Sequence, residues 1–428
     1  MEAPLHLPTL LWTGTFCVLL LGGLMLHFWL GQRQVRQVLR HRAVVPPAFA
    51  SRIDLPAHQK AADYTVAAVR LGLLHAVYGA AVLVGWTLLG GLDALHQLLA
   101  GLLGDGLLQA LALLAAFAAL SALLELPWAW YHTFGLEQRF GFNRSTPALW
   151  WADGAKSALL MAVIGLPLAA LLLWLMDRTG PLWWWWAWLA WAALQLLLMV
   201  VYPTWIAPWF NRFQPLADGP LKERLLALLQ RCGMRASGVF VMDGSRRSAR
   251  ANAYFTGLGP AKRVVLFDTL TQRLNADELE AVLAHELGHA HHRHLRSRLL
   301  LQLGTSLAAL ALLGWVGTQT WFYSGLGVSP PAWGPHGALA LILYTSVLPL
   351  FSLWLAPGFS AWSRRHEFEA DAYAAQQASG PALASALLKL YQDNASTLTP
   401  DPWYVRFFHT HPPAVARLAR LAPAGAAP

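Results

Sequence analysis

Two long uncharged stretches near the C-terminal end decide the fold of this chain. Residues 299–322 have the sequence LLLQLGTSLAALALLGWVGTQTWF, and residues 337–360 have the sequence GALALILYTSVLPLFSLWLAPGFS. The whole range 299–363 contains no Asp, Glu, Lys or Arg. Apolar runs of about 18 residues or more are long enough to cross a lipid bilayer as helices. The sequence therefore predicts two consecutive membrane helices in this region.

The composition of the whole chain points to the same environment. Of the 428 residues, 56% are hydrophobic and only 12% are charged, whereas a soluble domain has about 25% charged residues. So small a charged fraction excludes a soluble protein, and the apolar content excludes a disordered chain. The formal net charge of +9 is typical of cytoplasmic loops that meet anionic lipid. We therefore expect membrane lipids, and no nucleic acid, as partners.

The distribution of charge predicts seven membrane helices. The polar segments 31–70, 127–156, 204–298 and 364–428 are rich in Lys and Arg, and the other connections are poor in charge. Because basic loops stay in the cytoplasm, we expect the N-terminus outside and these four segments inside. The segment 92–103 is too short to span, so it is expected to be interfacial or re-entrant. The predicted spans are 8–30, 71–91, 107–126, 157–176, 181–203, 299–322 and 337–360.

The polar segment 204–298 contains a metal-binding pattern, His285-Glu286-Leu287-Gly288-His289. On a helix, two histidines four residues apart project from one face and can bind one Zn²⁺ together. Glu286 is then placed to act as a general base towards a water molecule. The alternative interpretation is a polar helix whose histidines face solvent.

A catalytic zinc ion needs a third protein ligand, and the best candidate follows the last predicted span. Within 363–373, Glu367 and Asp371 are four residues apart on a predicted helix. Glu367 can complete a His₂Glu site for one zinc ion, and Asp371 can accept a hydrogen bond from a ligating imidazole. His366 and Glu369 are expected to point away from that face. The alternative interpretation is an ordinary solvated helix face.

Other polar residues near these motifs have less specific patterns. His291, His292 and His294 are interpreted as basic interfacial residues at the start of the next membrane helix. His411, which precedes two prolines, could stabilise the oxyanion of a tetrahedral intermediate. An edge strand at Asn252 could hold a peptide as an added β-strand. Periodicity alone establishes neither role.

The local patterns also predict a small mixed α and β structure around the motif. Asn275, with Glu278 three residues later, predicts a capping box and a helix that begins near Ala276. Short runs of β-forming residues predict strands, one of them at an edge. The predicted helix is 221–232, the predicted strands are 239–242 and 264–267, and the predicted edge strand is 252–257.

The expected fold class is mainly α. We expect a polytopic membrane protein with about seven transmembrane helices and a zincin-like α+β metalloprotease domain on the cytoplasmic side. Five membrane helices with cytoplasmic loops are expected in 1–203, and two more in 299–360. The protease domain is expected in 204–298, with its C-terminal part and the third zinc ligand in 361–428.

Taken together, these residues resemble the CAAX prenyl protease 1 family of integral-membrane zinc metalloproteases. The resemblance extends over most of the chain and depends on an ordered series of motifs. The matching residues are Leu126-Pro127, Tyr131 to Phe134, Gly141 to Asn143, Pro203, Ile206 to Pro208, Phe210, Phe213, Pro215-Leu216, Gly244-Ser245, Arg247-Ser248, Asn252 to Phe255, Val264 to Leu270, Ser363 to Arg365, Glu367-Phe368, Ala370-Asp371, His411 to Pro413 and Arg417-Leu418.

The resemblance implies a fold and a metal site. It implies seven membrane helices that enclose a large water-filled chamber, with the zinc site on the cytoplasmic side. It implies that zinc is held by the positions of His285, His289 and Glu367, and that Glu286 activates water. This agrees with the seven spans and the orientation inferred from charge.

The resemblance also implies how a substrate is held. The strand at Asn252, Ala253 and Tyr254 would engage the backbone of a peptide or protein substrate, and His411 would face its scissile carbonyl. The substrates would be prenylated CAAX proteins or other membrane-associated proteins, cleaved near the C-terminus.

This chain departs from the eukaryotic pattern at two positions near the third ligand. His366 and Glu369 stand where eukaryotic members usually have Phe and Gln. The heavy use of Ala, Leu, Trp and Arg favours a GC-rich bacterium as the source, where prenylated CAAX proteins are generally lacking. The expected location is then the bacterial inner membrane, or the membrane of the endoplasmic reticulum for a eukaryotic source.

Two other functions share features with this sequence. A bacterial quality-control protease of the heat-shock membrane type shares the zinc motif, but it lacks the matches at 126–143 and 203–216. A non-proteolytic transporter or scaffold with a structural metal site is compatible with seven spans. Against it, a structural site does not need Glu286, and a His₂Glu set leaves a coordination position open.

Overall fold

The structure is a computed structural model, and it describes residues 7–234, 238–256, 263–330 and 337–421. One end of the predicted edge strand 252–257, Gly257, lies outside the described residues. The helices, in chain order, are α1 Leu7–Arg40, α2 Leu55–Trp86, α3 Gly91–Leu103, α4 Leu107–Glu137, α5 Pro147–Arg178, α6 Gly180–Phe210, α7 Pro220–Arg231, α8 Asp268–Thr271, α9 Ala276–His291, α10 His294–Val316, α11 Thr320–Ser324, α12 Gly337–Gln377, α13 Gly380–Asp393, α14 Pro402–Phe408 and α15 Ala414–Leu421.

Seven of the described helices are long and apolar enough to cross a membrane, which confirms the predicted number of spans. They are α1, α2, α4, α5, α6, α10 and α12. Large apolar side chains on these helices, such as Val18, Met25 and Val163, are exposed, as expected for helices in a lipid environment. The short helix α3 is not among the seven, in agreement with its predicted length.

Several of these helices are longer than the apolar runs that predicted them. Helix α1 continues past the predicted end at residue 30 to Arg40, and this polar extension packs against the C-terminal part of the chain. There Arg33 forms an ion pair of 2.9 Å with Asp401, whose backbone N–H donates to Gln34 at 2.7 Å. Hydropathy detects only the part of a helix that faces lipid, so such extensions are invisible to it.

A four-stranded sheet lies in the predicted protease region. Its strands are β1 Phe213–Pro215, β2 Val239–Met242, β3 Ala253–Thr256 and β4 Arg263–Phe267, in the order β1-β2-β4-β3. The strands β2 and β4 are parallel, and β3 is antiparallel to β4. The predicted strands at 239–242 and 264–267 are confirmed, and β3 is an edge strand as predicted.

An apolar core joins this sheet to the motif helix α9. Helix α9 begins with the predicted capping box: the Glu278 backbone N–H donates to the Asn275 side chain at 3.0 Å, and the Asn275 N–H donates to the Glu278 carboxylate at 2.9 Å. Burial of an apolar face then fixes the helix against the sheet and against α7 and α13. Members of this core include Leu225, Leu228, Val264, Leu266, Leu279, Leu283 and Leu383.

The last membrane helix does not end where its apolar sequence ends. Helix α12 continues without a break across the predicted boundary between residues 360 and 361 and reaches Gln377. The segment that carries Glu367 and Asp371 is therefore the end of a membrane helix, not a separate helix after it. This continuity gives those two carboxylates a rigid support.

Candidate metal centre and active site

The two histidines of the motif lie on one face of α9, as their spacing predicts. Their ring centroids are 4.9 Å apart and the rings are perpendicular. His285 is buried and His289 is half-buried. In each ring, Nε2 faces the same carboxylate on α12, that of Glu367. The motif helix therefore presents two nitrogen atoms to one point.

Gly288 explains how α12 can come this close to α9. A Cβ atom at Gly288 would lie 2.9 Å from the Ala370 Cα and 3.0 Å from the Ala370 carbonyl oxygen. Real Cβ contacts are almost never so short, and these neighbours are backbone atoms that cannot rotate away. The glycine between the two histidines thus allows a direct backbone contact, and Glu367 lies one turn of α12 from it.

The three predicted ligands meet at distances that fit a zinc ion. Glu367 Oε2 lies 3.6 Å from His285 Nε2, and Glu367 Oε1 lies 3.4 Å from His289 Nε2. Zinc-to-ligand distances of about 2.0–2.1 Å in tetrahedral geometry give ligand atoms roughly 3.3 Å apart. The buried Glu367 Oε2 has no hydrogen-bond partner among the described residues, which a bound cation would compensate. Chemistry and geometry therefore both fit a metal.

Asp371 lies beside His285, the ring that it was predicted to support, and Arg417 lies beside Asp371 in turn. His285 Nδ1 lies 2.9 Å from Asp371 Oδ1, although off the axis of a good hydrogen bond. Burial lowers the pKa of His285, but the contacts with Asp371 and Glu367 outweigh burial and raise that pKa to about 9. Arg417, which is buried, donates to both oxygens of Asp371, at 2.6 and 2.8 Å. The Asp371 carboxylate is thus held from two sides.

Glu286 and His411 line one cavity of about 860 Å³ together with His285 and Glu367. Burial raises the pKa of Glu286, while the neighbouring histidines oppose that rise. His411 Nε2 lies 3.5 Å from Glu367 Oε1, and 68% of the His411 side chain is accessible. It faces the cavity inside the protein rather than bulk water, so burial still lowers the pKa of His411.

The predicted substrate strand is only partly at this cavity. Asn252 and Ala253 line it, whereas Tyr254 lines a separate small pocket with Tyr202 and Arg263. The Asn252 carbonyl accepts a hydrogen bond from Phe267 of β4 at 3.0 Å. Because backbone groups alternate along a strand, the N–H and C=O of Ala253 point to the free edge of β3.

The interpretation of His294 as a basic interfacial residue is wrong. His294 is 3% exposed, and its Nδ1 lies 2.9 Å from Nδ1 of the proposed ligand His289. The chain turns back at Arg293, whose φ of 56° ends α9 before α10 begins. This left-handed residue returns His294 to the site, and no spacing rule for a continuous helix predicts it. His291 and His292 are exposed, as interpreted.

Sequence patterns give no sign of the contacts of three residues beside the proposed ligands. Arg417 is part of a family motif, but its spacing does not indicate that it holds Asp371. His366 and Glu369 do point away from the ligand face, but towards His294. A pattern of His at one position and Glu three residues later on α12 is the only signal that could have indicated this second cluster.

Comparisons with known proteins agree with this arrangement. A family model described as "CAAX prenyl protease N-terminal, five membrane helices" matches residues 34–212, and the model "Peptidase family M48" matches residues 215–424. CAAX prenyl protease 1 of Saccharomyces cerevisiae is 32% identical over 399 residues, which are 88% of this chain and 88% of the yeast protein. The chain belongs to the CAAX prenyl protease 1 family.

Other members of the CAAX prenyl protease 1 family cover nearly the whole chain. The human CAAX prenyl protease 1 homolog is 29% identical over 95% of each chain. The crystal structure of S. mikatae Ste24p superposes with a TM-score of 0.89 and 29% identity, covering 96% of this chain and 99% of that one. The predicted family and fold class are thereby confirmed.

Membership in the CAAX prenyl protease 1 family establishes the class of reaction. The chain is a multi-pass integral membrane protein and a metalloendopeptidase that acts on peptide or protein substrates. The metal of this peptidase family is generally zinc. Neither the heat-shock type of quality-control protease nor a non-proteolytic transporter or scaffold is favoured by these relatives.

Proposed function

We propose that this membrane zinc endopeptidase binds one zinc ion through His285, His289 and Glu367, and that Glu286 is its general base. The observation that supports this most directly is the convergence of three ligand atoms, all within 4.8 Å of one another. When bound, zinc supplies Lewis-acid activation of water and of the scissile carbonyl. The protein supplies positioning and proton transfer.

The Glu286 carboxylate takes one proton from the attacking water. It later gives that proton to the amine nitrogen that leaves, so that the carboxylate is regenerated at the end of each cycle. A raised pKa suits both steps, because a group that must accept and then release a proton works best when its pKa is near the operating pH.

His411 would stabilise the negative charge that develops on the carbonyl oxygen. Its Nδ1 lies 3.2 Å from the Thr410 hydroxyl, and its Nε2 faces the ligand cluster. If the hydroxyl donates to Nδ1, the proton of a neutral ring is on Nε2 and points into the cavity. A hydrogen-bond donor that is already in position stabilises the negative charge of the transition state and thereby raises the rate.

The substrate is proposed to bind as an added β-strand along the free edge of β3. Ala253 would supply the backbone hydrogen bonds, and Asn252 would border the cavity. The cavity is also lined by Gly31 of α1 and Gly72 of α2, two membrane helices, which supports a substrate that is anchored in the membrane. The relatives are named for CAAX prenyl proteins, and we propose prenylated or similarly anchored C-termini as the substrate class.

We also propose that the active site faces the cytoplasm, because the basic segments surround it. In a chain whose Cys17 and Cys232 are replaced by Ser, the exposed Glu223→Cys gives a single thiol on the protease domain. A membrane-impermeant thiol reagent should label it in inside-out vesicles only. Labelling only in right-side-out vesicles would contradict the orientation.

The central experiment combines Glu286→Gln with a farnesylated CAAX peptide. The variant should retain one zinc ion per chain and lose peptide cleavage, since only the proton carrier is removed. The matched control is Asp277→Asn, which changes an exposed carboxylate on the same helix and should cleave normally. Full cleavage by Glu286→Gln would overturn the mechanism. Equal cleavage of an unprenylated, unanchored peptide would contradict the proposed substrate class.

A further inference from the structure

Behind the zinc ligand His289 lies a second cluster of polar side chains. It consists of His294, His366 and Glu369, whose ligand-type atoms lie within 4.8 Å of one another. His294 and His366 are 3% and 6% exposed. Burying polar side chains costs free energy unless they are hydrogen-bonded. The proposed mechanism gives this cluster no role.

We propose that His294 and Glu369 form a hydrogen-bonded relay that positions His289 for zinc binding. The inference rests on the proposed role of His289 as a ligand. The Nδ1 atoms of His289 and His294 are 2.9 Å apart, and His294 Nε2 lies 2.9 Å from Glu369 Oε2. The other oxygen of Glu369 accepts from Arg365 at 2.9 Å. The relay is therefore anchored at its outer end.

The protons of the relay have only one consistent arrangement when His289 is a ligand. His289 presents Nε2 to the metal, so its Nδ1 carries a proton and donates. His294 must then accept at Nδ1, and its own proton is on Nε2, where the Glu369 carboxylate accepts it. A carboxylate at the end of such a chain holds a ligand ring in one tautomer and one orientation.

The same arrangement argues against a second metal ion in this cluster. Such an ion would need the Nε2 lone pair of His294, so the proton of the neutral His294 ring would be on Nδ1. That proton would then face the Nδ1 proton of His289, and the two nitrogen atoms could not share a hydrogen bond. The rings of His294 and His366 are also stacked, with centroids 3.8 Å apart and planes 9° apart. Lone pairs lie in the ring planes, so two stacked rings do not aim at one ion.

His366 acts in this relay by packing. Its ring covers one face of His294, and Trp362 meets the His366 ring at 4.4 Å and 61°. This stack restricts rotation of the His294 ring and so keeps Nδ1 directed at His289. His285 has the Asp371 carboxylate directly beside it, whereas His289 reaches its carboxylate, Glu369, through one intervening imidazole.

The test compares His294→Phe with His294→Asn and with the matched control His292→Phe. Phenylalanine keeps an aromatic ring under His366 but cannot accept a hydrogen bond, whereas the Asn carbonyl oxygen replaces Nδ1 as acceptor. His292 is exposed and also stacks on His294, with planes 16° apart. Zinc affinity of the full-length protein is measured by chelator competition, and zinc per chain is measured by elemental analysis.

We expect His294→Phe to weaken zinc binding by about 10–100-fold, the usual cost of losing an outer partner of a ligand. His294→Asn should recover most of that loss, and His292→Phe should bind zinc as the wild type does. Equal affinity of His294→Phe and His292→Phe would overturn the relay. So would a wild type with two zinc ions per chain that falls to one in His294→Phe, because that result assigns the cluster to a second metal.

Failure of the proposed function gives a different result. If His289→Ala binds zinc as tightly as the wild type, His289 is not a ligand and both proposals fail. If His289→Ala loses zinc but His294→Phe does not, only the relay fails.

Discussion

The guanidinium of Arg417 holds both carboxylate oxygens of Asp371, at 2.6 and 2.8 Å, in the buried space behind the proposed zinc site. Asp371 faces His285 Nδ1 at the same time. A residue from the last described helix, α15, therefore orients a carboxylate on α12, and that carboxylate in turn supports a histidine on α9. Burial alone would lower the pKa of Arg417, but Asp371 outweighs it and raises that pKa.

Replacing Arg417 should damage both stability and zinc binding. Arg417→Ala leaves Asp371 buried without its partner, and breaking a buried pair in this way costs about 3–5 kcal/mol. We expect a lower melting temperature in detergent and weaker zinc retention, both measured on one preparation. The control is Arg420→Lys, because Arg420 is exposed on the same helix. An Arg417→Ala protein that melts and binds zinc like Arg420→Lys would contradict this role.

Gly288→Ala should separate the two helices that carry the proposed zinc ligands. The new Cβ would lie 2.9 Å from the Ala370 Cα, so α12 must move and Glu367 with it. We expect reduced zinc content and reduced cleavage. Gly358→Ala is the matched control, since a Cβ there meets nothing within 4 Å. In a helix that change is expected to be neutral or to stabilise by about 0.5–1 kcal/mol. Two variants with equal zinc content would show that the close contact is unimportant.

His411→Phe should slow cleavage without removing zinc. Loss of one oxyanion donor typically lowers kcat by about 10²–10³, whereas the proposed ligand set His285, His289 and Glu367 stays intact. His411→Asn keeps an N–H donor and should lose less activity. The measurements are kcat and KM on a quenched peptide, with zinc content determined in parallel. A change in KM alone, with kcat unchanged, would assign His411 to substrate binding.

Glu278 should stabilise the protein at neutral pH and lose that effect in acid. Burial raises the pKa of Glu278, but hydrogen bonds from Lys389, the Asn275 backbone and Ser385 outweigh it and hold the pKa below the ordinary 4.5. A carboxyl whose pKa is lowered by folding stabilises the fold above its unfolded value, and this stabilisation disappears as pH falls through the folded value.

The corresponding measurement is thermal unfolding of Glu278→Gln in detergent as a function of pH. At pH 7 the variant should be less stable by about 1.5–3 kcal/mol, the range for hydrogen bonds to a charged group. The difference from the wild type should shrink below pH 4.5. Glu223→Gln, which changes an exposed glutamate on α7, should match the wild type throughout. A difference that grows in acid would contradict the assigned sign.

Much of the fold followed from local sequence patterns. Seven spans, the capping box at Asn275 and the edge strand at 252–257 were predicted because each depends on neighbouring residues and a fixed period. The helix pairing that brings His285 and Glu367 together could only be expected from the orientation of the spans. The close approach of the two helices depends on Gly288, because a Cβ atom at this position would clash with Ala370. This requirement for glycine can be recognised only when Ala370 is known to lie against it.

The residues around the site were harder to predict, because their contacts also come from parts of the chain that are distant in sequence. His294 was assigned to a membrane interface because it begins an apolar helix, yet the left-handed turn at Arg293 buries it against His289. Arg417 and Glu369 are charged residues without a periodic context, and their partners are 46 and 75 positions away in the chain. Tertiary contacts of this kind leave no local pattern.

The amino-acid sequence by itself determined the membrane class, the number of spans and the pair of histidines with Glu286, because charge, hydropathy and helical period act over short distances. The sequence also indicated Glu367 and Asp371 as the carboxylates. Only the tertiary structure decided that Asp371 lies beside His285, that His294 lies beside His289, and that Arg417 holds Asp371. The physical reason is that a metal-binding geometry needs atoms placed within a few tenths of an ångström. That placement is achieved by packing of α9 against α12, with buried partners contributed by α10 and α15.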